Sequence, residues 1–294
     1  MDPLKTALIT GSNGGLGLAT ARKLQHKGWR VLLHGRDAAK LERARARLGV
    51  PETDALQADL ADLDAVRQLA AAVGERTDRL DALIHNAGIT VPDLRRTDQG
   101  VELTMAVNVL APFVLTETLR PLLEATSTIH GDARVVTVSS EAQRAGRLGT
   151  TDVAALTARL RGPTDPDRYS SVKAYCQSKL AATAWTLELA RRLGGTGVTA
   201  NACHPGVVRT GIFDGVGGVF GALAVLASVF YLPPSIGAAS AVLLATDPRY
   251  GDRTGRWITR SHVRQPHEAT PPAEARDESV GRAVWDALSK LAAA

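Results

Sequence analysis

The chain has 294 residues, of which 45% are hydrophobic and 22% are charged, so we expect one soluble domain with a single large core. Its formal net charge of +5 comes mostly from scattered arginines, which argues against nucleic-acid binding but is compatible with anionic ligands. The two cysteines, Cys176 and Cys203, do not indicate a disulfide, and a cytoplasmic protein is expected. Because the first strand is predicted from about Leu4, we expect no signal segment before it.

Apolar runs alternate with helical patterns along most of the sequence. The predicted strands are TALIT, WRVLLHG, TDALQAD, LDALIHNAG, ARVVTVSS, GVTANACHPG and GRWITR. The predicted helices between them include LATARKLQHKG, DAAKLERARARLG, DLDAVRQLAAAVG, GVELTMAVNVLAPFVLTETLRPLLEA and AYCQSKLAATAWTLELARRLGG. Short apolar strands that alternate with helices predict an α/β fold, a doubly wound parallel sheet with helices on both faces. Ligands of such folds bind at the carboxyl ends of the strands.

A glycine-rich turn joins the first predicted strand to the first predicted helix. The stretch TGSNGGLG, residues 10–17, holds four glycines. Such a turn lets a phosphate approach the backbone N–H groups at the positive end of a helix. The alternative is a tight turn that only packs the helix on the strand. The glycines fit both TGxxxGxG and TGxxGxxG, so the spacing alone does not decide between classes of nucleotide-binding protein.

Residues 215–246 include no charged side chain. The part at 215–232 approaches the length of a membrane span, yet it is rich in Gly and Ala and lacks flanking basic anchors. We expect an apolar segment over a pocket rather than a membrane helix, with 211–235 as a substrate lid that orders when substrate binds.

Further motifs follow the glycine turn in a characteristic order. They are AD at Ala58-Asp59, NAG at Asn86 to Gly88, Asn108 in VNVLAPF, VVTVSS ending at Ser140, AYCQSK with Tyr175 and Lys179, and HPGVVRT from His204 to Thr210. With these motifs, the chain from about residue 4 to 260 resembles the short-chain dehydrogenase/reductase family, and most closely its retinol-dehydrogenase-like branch. The resemblance implies a single Rossmann-fold domain that catalyses oxidation and reduction with a nicotinamide cofactor.

The spacing of Tyr175 and Lys179 has a physical meaning of its own. Residues four apart on a helix share one face, with Cβ atoms about 5–6 Å apart. An unperturbed phenol has a pKa near 10, which is too high for efficient acid–base catalysis at neutral pH. A cation at this range favours the phenolate by about 3 kcal/mol at an effective dielectric near 20, so we expect Lys179 to lower the pKa of Tyr175. An isolated pair of this kind is more often a surface feature of a helix.

The family resemblance implies four catalytic residues. Tyr175 exchanges a proton with the substrate oxygen, and Ser140 hydrogen-bonds that oxygen as charge develops. Lys179 tunes Tyr175 and holds the nicotinamide ribose. Asn108 completes a proton relay through water and Lys179, the alternative being a helix asparagine bonded to backbone. The family motif favours Ser140 over Ser139.

The resemblance also implies the cofactor contacts. They comprise Gly11, Ser12, Asn13, Gly15, Leu16 and Gly17 in the turn, Arg36 after the second strand, Asp59 and Leu60 at the adenine, Asn86, Ala87 and Gly88 at the adenosine ribose, Tyr175 and Lys179, and Pro205, Gly206 and Val208 at the nicotinamide amide. For Asp59 the alternative is an ordinary helix cap. His204 is interpreted as structural, and the cysteines and histidines show no metal-binding spacing.

The end of the second strand predicts which cofactor is preferred. NAD-selective members place an acidic residue there to bind the ribose hydroxyls, whereas this chain has Gly35 followed by Arg36. Gly35 leaves space for a 2′-phosphate and the guanidinium of Arg36 can hold it, although Arg36 stacked on the adenine would also suit an NAD enzyme. Asp37 falls beyond the strand and is predicted to cap the next helix. NADP(H) is therefore the expected cofactor, with NAD(H) as the weaker one.

Two segments depart from the usual pattern of the family. The residues between Ser140 and Tyr175 are more numerous than in most members, and we expect 141–169 to form an insertion beside the active site. Beyond residue 260 we expect an irregular arm, followed by a terminal amphipathic helix in 260–294. Its apolar stripe is Val280, Val284, Ala287, Leu288 and Leu291.

Three functions fit these features. The favoured one is interconversion of a carbonyl and an alcohol on a small, hydrophobic substrate by a homo-oligomeric enzyme that binds neither nucleic acid nor membrane. An extended-type nucleotide-sugar epimerase or dehydratase fits TGxxGxxG but needs a larger C-terminal substrate domain. A non-catalytic dinucleotide sensor would tend to lack the Tyr, Lys or Ser, all of which are present.

Overall fold

The computed structural model describes residues 4–208, 232–261 and 264–293. The strands are β1 Thr6–Ile9, β2 Arg30–Gly35, β3 Ala55–Gln57, β4 Ala82–His85, β5 Ala133–Val138, β6 Val198–Cys203, β7 Trp257–Thr259 and β8 His267–Glu268. The helices are α1 Gly15–Gln25, α2 Ala38–Leu48, α3 Leu63–Arg76, α4 Leu103–Met105, α5 Ala111–His130, α6 Val153–Arg161, α7 Ser171–Arg192, α8 Pro234–Gly237, α9 Ala239–Thr246, α10 Ala273–Arg276 and α11 Glu278–Ala292. The predicted lid at 211–235 lies for the most part outside the described residues.

The described strands form one sheet in the order β3-β2-β1-β4-β5-β6-β7-β8. Strands β1 to β7 pair in parallel, which confirms the predicted doubly wound α/β fold. The strand order reverses between β1 and β4, and a crevice opens at the carboxyl ends of the strands where the order reverses. The glycine turn follows β1 and the NAG motif follows β4, so the topology brings both motifs to this crevice.

Each face of the sheet packs into its own apolar core. Neighbouring residues of a strand point to opposite faces, so Leu83 belongs to the core beneath α3, α5 and α7, and Ile84 belongs to the core beneath α1 and α9. Both are fully buried. This explains why the strands are continuous apolar runs rather than alternating polar and apolar residues.

The prediction of an irregular arm beyond residue 260 is wrong in part. Strand β8 pairs antiparallel with β7, with Ile258 opposite Glu268 and Thr259 opposite His267, and α10 follows before the terminal helix. A two-residue strand has no hydrophobic period of its own. Its formation depends on the unpaired edge that β7 offers, which the sequence alone does not reveal.

The C-terminal helix α11 packs against both α6 and α7. All five residues of its predicted apolar stripe are buried, and so is Trp285, which meets Phe113 edge to face at 4.9 Å between ring centroids. In α10, the carboxylate of Glu274 accepts hydrogen bonds from the backbone N–H groups of Leu148 and Gly149. The C-terminal residues thus fasten the 141–169 segment to the body of the domain.

Helix α4, a π-helical turn at Ala106–Leu110 and α5 form one continuous helical stretch. Among the described residues, this stretch is the one helix long and apolar enough to cross a membrane, but 72% of its most apolar window is buried inside the protein. A core helix of a soluble protein passes the same test. Its apolarity is accounted for by the core that it fills against α3 and β5.

Candidate active site

The glycine turn between β1 and α1 forms a cradle in which three positions require glycine. Gly11 and Gly15 have φ of +64° and +51°, a region that side chains disfavour. A Cβ atom on Gly17 would collide with the carbonyl oxygen of Gly11. Gly14 precedes α1 and supplies no side-chain cap, which leaves the positive end of the helix for an anionic group. The turn therefore fits a dinucleotide phosphate.

His34 holds the glycine turn in place through hydrogen bonds. The sequence analysis did not predict this role. The N–H of Gly11 donates to Nδ1 of His34 at 3.1 Å, and Nε2 lies 3.2 Å from the carbonyl oxygen of Ala58. Because Nδ1 accepts, the proton of the neutral ring must be on Nε2, which donates to Ala58. Burial lowers the pKa of His34 to about 4, so the neutral ring is the form present at physiological pH. The position of this histidine in the apolar run VLLHG was the sequence feature that could have indicated its structural role.

Ser12 uses its hydroxyl within the fold. Its Oγ accepts a hydrogen bond from the backbone N–H of His34 at 2.9 Å, and the residue is fully buried. The predicted cofactor contact of Ser12 therefore cannot run through the hydroxyl in this arrangement. Its part is to join the glycine turn to β2.

The NAG motif packs directly on the glycine turn. Nδ2 of Asn86 donates to the carbonyl oxygens of Thr10 and Gly11 at 2.9 and 3.2 Å. A Cβ atom on Gly11 would lie 2.9 Å from Cα of Ala87. These contacts hold the two loops at one crevice, as the strand topology requires.

The two serines that follow β5 have different partners. Ser139 donates its hydroxyl proton to the carbonyl oxygen of Lys179 at 2.9 Å and is buried. The hydroxyl of Ser140 is hydrogen-bonded to the side chain of Tyr175 and also accepts the N–H of Ala142 at 3.2 Å. Ser140 is thus the serine beside the tyrosine, whereas Ser139 joins β5 to α7.

Lys179 lies under Tyr175 on the same face of α7. Its Nζ is 5.6 Å from the centroid of the tyrosine ring and donates to the carbonyl oxygen of Val138 at 3.1 Å. Both residues are buried. Their placement agrees with the four-residue spacing, but the ammonium group is bonded to backbone rather than to the phenol.

The expectation that Lys179 lowers the pKa of Tyr175 is wrong for this structure. Burial raises the pKa of Tyr175 to about 12, although the hydrogen bond with Ser140 opposes this shift. Burial lowers the pKa of Lys179 to about 8. Removal of water disfavours the charged form of each group, and burial is the largest cause of both shifts. Tyr175 is therefore protonated at neutral pH and can act as a proton donor.

Asn108 lies in the π-helical turn and its amide is bonded on three sides. Oδ1 accepts the N–H of Ile89 at 2.8 Å, and Nδ2 donates to the carbonyl oxygen of Ile89 and to Oγ of Ser178, each at 3.0 Å. A Cβ atom on Gly88 would lie 3.2 Å from Nζ of Lys179 and 3.4 Å from Oδ1 of Asn108. The asparagine thus fixes the segment after the NAG motif beside Lys179. Ser178 also belongs to this hydrogen-bonded group, and the sequence analysis did not predict its part.

The side chains after β2 and β3 surround a solvent-open corner. The guanidinium of Arg36 is 72% exposed and lies 3.8 Å from the carboxylate of Asp59. Asp37 caps α2 through the N–H of Lys40, as predicted. Asp59 accepts the N–H of Ala61, but the residue that caps α3 is Asp62. Arg36 is therefore free to leave its weak, exposed ion pair for an incoming anion.

The space beside Gly35 is already occupied, contrary to the expectation that it is open for a 2′-phosphate. A Cβ atom on Gly35 would lie 2.7 Å from Nδ2 and 2.8 Å from Cβ of Asn13. Glycine is required here because the side chain of Asn13, itself a predicted cofactor contact, packs against the backbone. A phosphate group bound by Arg36 would have to lie outside this contact.

The turn after β6 closes the other side of the crevice. Gly206 has a φ of +86°, and Val208 forms a parallel bridge with Leu232. A Cβ atom on Gly237 would meet both the side chain of Val208 and, at 3.2 Å, Cδ1 of Leu16. The turn after β6 is thus held against the start of α1.

Four residues named in the sequence analysis are placed as follows. Pro205 is half-buried and precedes Gly206 in this turn, and Gly15 opens α1. Leu60 is only 5% exposed and belongs to the apolar core, so most of its surface packs against protein. His204 is buried, and burial lowers its pKa to about 4, in keeping with the structural interpretation.

Among the described residues, no group of three His, Cys, Asp or Glu side chains could hold a metal ion. Cys176 and Cys203 are both free and buried. The side chains that meet at this edge of the sheet include the hydroxyls of Ser140 and Tyr175, the amide of Asn108 and the ammonium group of Lys179.

Comparison with known proteins gives one consistent result. The family model described as short chain dehydrogenase matches residues 5–155 and 166–217. Human retinol dehydrogenase 13 is 35% identical over 298 residues, which cover 98% of this chain and 85% of that protein. Mouse polyprenol dehydrogenase is 34% identical, with 97% of this chain and 82% of that protein covered.

Comparison with solved structures finds proteins of similar fold. An uncharacterized protein from Mycobacterium paratuberculosis superposes with a TM-score of 0.77 at 30% identity, covering 98% of this chain and 93% of that chain. The Pseudomonas aeruginosa RhlG/NADP active-site complex superposes with a TM-score of 0.67 at 25% identity, covering 88% and 95%.

Proposed function

This chain belongs to the short-chain dehydrogenase family, and on that premise we propose that it is an NADP(H)-preferring oxidoreductase that interconverts the carbonyl and alcohol forms of a small hydrophobic substrate. Membership of the family makes the protein an oxidoreductase enzyme. The cofactor preference, the substrate class and the residue roles below are the proposal.

The cradle of the glycine turn supports binding of a dinucleotide. Gly11 and Gly15 take backbone conformations that side chains disfavour, Gly17 has no room for a side chain, and α1 begins there without a side-chain cap. Gly11, Gly15 and Gly17 would hold the phosphates, and the turn around Gly206 would hold the nicotinamide end. When bound, the nicotinamide would supply or accept the hydride.

In the reductive direction, Tyr175 gives its proton to the substrate carbonyl oxygen. The raised pKa of its hydroxyl keeps that proton in place at neutral pH, and the bond to Ser140 orients it. Ser140 also donates a hydrogen bond to the developing oxyanion. Lys179, buried with its ammonium group 5.6 Å from the tyrosine ring centroid, would hold the nicotinamide ribose beside Tyr175.

The names of the relatives support a hydrophobic substrate. One is a retinol dehydrogenase and another a polyprenol dehydrogenase, and both names denote long apolar alcohols. The preference for NADP(H) is supported by Arg36, whose guanidinium is exposed at the corner after β2 with only a 3.8 Å ion pair to Asp59. It is also supported by the absence of an acidic residue at Gly35.

The single observation that carries the proposal is the contact of Ser140, Tyr175 and Lys179 at one end of the crevice that begins at the glycine turn. It is tested by following the absorbance of NADPH or NADH with the purified protein and a panel of aldehydes and ketones that includes retinal. Turnover of apolar carbonyls with NADPH, and its loss in Tyr175→Phe, is the expected result. A protein that binds NADPH but turns over no member of the panel in either direction would contradict it.

A further inference from the structure

A cavity of about 380 Å³ lies between α6, the loop that follows it, the first turns of α7, and α4. Its size falls within the range of small-molecule sites, roughly 300–1,000 Å³. Its lining does not include Ser140, Tyr175 or Lys179. It is therefore a second concave site, formed largely by the 141–169 segment.

The cavity and the proposed active site use different sides of the same helix. Lys173 and Gln177 line the cavity, and they are four residues apart on α7, as Tyr175 and Lys179 are. Residues two positions apart on a helix point in nearly opposite directions, since each residue turns the chain by about 100°. A ligand in the cavity would therefore not compete for the space of the substrate.

The charged groups around the cavity favour an anion. Arg159, Arg168 and Lys173 are exposed residues of its lining, against one acidic residue, Glu102. The carboxylate of Glu102 is buried and already accepts the N–H groups of Thr104 and Met105 at 2.9 and 2.8 Å. It also accepts the hydroxyl proton of Tyr169 at 2.9 Å. Its oxygens are thus engaged by donors of the protein, and three cationic side chains of the lining stand against this one carboxylate.

These cationic side chains are available to an external ligand. Among the described residues the ammonium of Lys173 has no hydrogen-bond or ion-pair partner. Arg168 has only an exposed pair with Asp165 at 3.6 Å, and Arg159 makes one long hydrogen bond, 3.4 Å, to the carbonyl oxygen of Arg147. Exposed pairs of this kind contribute little free energy and exchange readily.

The rest of the lining is apolar and also includes the positive end of α7. Met105, Ala155, Ala158, Pro163 and Ala174 supply the apolar surface. Ser170 caps α7 and lines the cavity, so the helix dipole adds to the positive potential there. We propose that the cavity binds an anionic amphiphile, a carboxylate that carries a short apolar chain, with its head group at Lys173 and Arg159.

Isothermal titration of the full chain with octanoate tests the proposal, with octanol as the uncharged probe. We expect octanoate to bind at least tenfold more tightly than octanol.

Lys173→Ala and Arg159→Ala should each weaken octanoate binding by about three- to fivefold, the effect of an exposed charge pair. Ala158→Trp, which fills the apolar part from an exposed position, should abolish it. Lys290→Ala, an exposed lysine on α11 outside the cavity, is the matched control and should bind as the wild type does.

Hydrogen exchange with and without octanoate locates the site. Protection in 153–177 that is lost in Ala158→Trp supports the proposal. Equal affinity for octanol, unchanged binding in both alanine variants, or protection confined to the residues around Ser140 would overturn it. The readout needs no turnover, so it is independent of whether the proposed oxidoreductase activity is found.

Discussion

Tyr175 carries the proton in the proposed reaction, and its removal gives a sharp expectation. Tyr175→Phe deletes only the hydroxyl, so turnover should fall by about 10²–10⁴, the usual contribution of general acid–base catalysis. Cofactor affinity should stay within a few-fold of the wild type. Lys179→Ala should lower both turnover and cofactor affinity, because Lys179 is proposed to hold the nicotinamide ribose. Steady-state kinetics and cofactor titration measure both effects, and more than about a tenth of wild-type turnover in Tyr175→Phe would refute the role of the tyrosine.

Arg36 should decide the preference for NADP(H). Loss of a charge-assisted hydrogen bond to phosphate costs about 1.5–3 kcal/mol, so Arg36→Ala should lower kcat/KM with NADPH by roughly ten- to a hundredfold and leave NADH nearly unchanged. The comparison of kcat/KM with the two cofactors is the measurement. A wild-type protein that uses NADH as well as NADPH would contradict the preference.

An acidic residue at position 35, where NAD-selective members of the family carry one, is not expected to reverse the preference in this structure. A side chain at position 35 meets Asn13 at 2.7 Å, so it must displace a residue of the glycine turn. We expect Gly35→Asp to weaken the binding of both cofactors. Parallel titrations of the variant with NADPH and with NADH measure this effect. An increase in NADH affinity would show that Asn13 can move without cost.

His34 should make the stability of the protein depend on pH. Burial lowers its pKa in the folded state to about 4 from 6.5, so the unfolded state binds the proton first as the pH falls. The stabilisation is complete above pH 6.5 and is lost as the pH approaches 4, by on the order of 3 kcal/mol. Burial also lowers the pKa values of His85 and His204, so these residues change the unfolding free energy with pH in the same direction. The contribution of His34 is therefore the difference in unfolding free energy between the wild type and a His34 variant.

Urea unfolding at a series of pH values measures this difference. His34→Gln should lose less unfolding free energy between neutral and acid pH than the wild type. His26→Gln, which changes an exposed histidine, is the control and should follow the wild-type curve. Parallel curves for wild type and His34→Gln would show that His34 does not titrate with unfolding.

At the scale of elements, the terminal helix should contribute strongly to the stability of the domain. Leu288 is fully buried where α11 meets α6 and α7, and a leucine-to-alanine change in such a position costs about 2–5 kcal/mol. Leu288→Ala should therefore lower the unfolding free energy by that amount. Lys290→Ala, exposed two residues later on α11, should change it by less than about 0.5 kcal/mol. Similar, small effects of both changes in denaturant titrations would show that α11 is not part of the cooperative core.

At the scale of the whole molecule, the positive charge should assist binding of the anionic cofactor. A net charge of +5 attracts the phosphates of a dinucleotide at long range, and dissolved salt screens this attraction within about 10 Å at 0.1 M. The association rate constant of NADPH should fall as salt is added, whereas that of an uncharged apolar substrate should not. Stopped-flow measurements at several ionic strengths test this, and a salt-independent rate for NADPH would contradict it.

Features that depend on residues close together in the chain could be predicted from the amino-acid sequence alone. The alternation of apolar runs and helical patterns predicted the parallel sheet, because hydrophobic period is a local property of each element. The cradle at 10–17 and the shared face of Tyr175 and Lys179 are likewise set by local backbone geometry. The motif order located the residues that the fold then brings to one crevice.

Only the tertiary structure decided what surrounds each of these groups. The raised pKa of Tyr175 and the neutral ring of His34 follow from burial, which is produced by segments far away in sequence. The contact between Asn13 and Gly35 closed a space that the sequence left open, and β8 formed only because β7 offers it an edge. The cavity behind α7 exists because the 141–169 segment packs beside that helix. Burial and packing are sums over distant neighbours, and for that reason no local pattern could fix them.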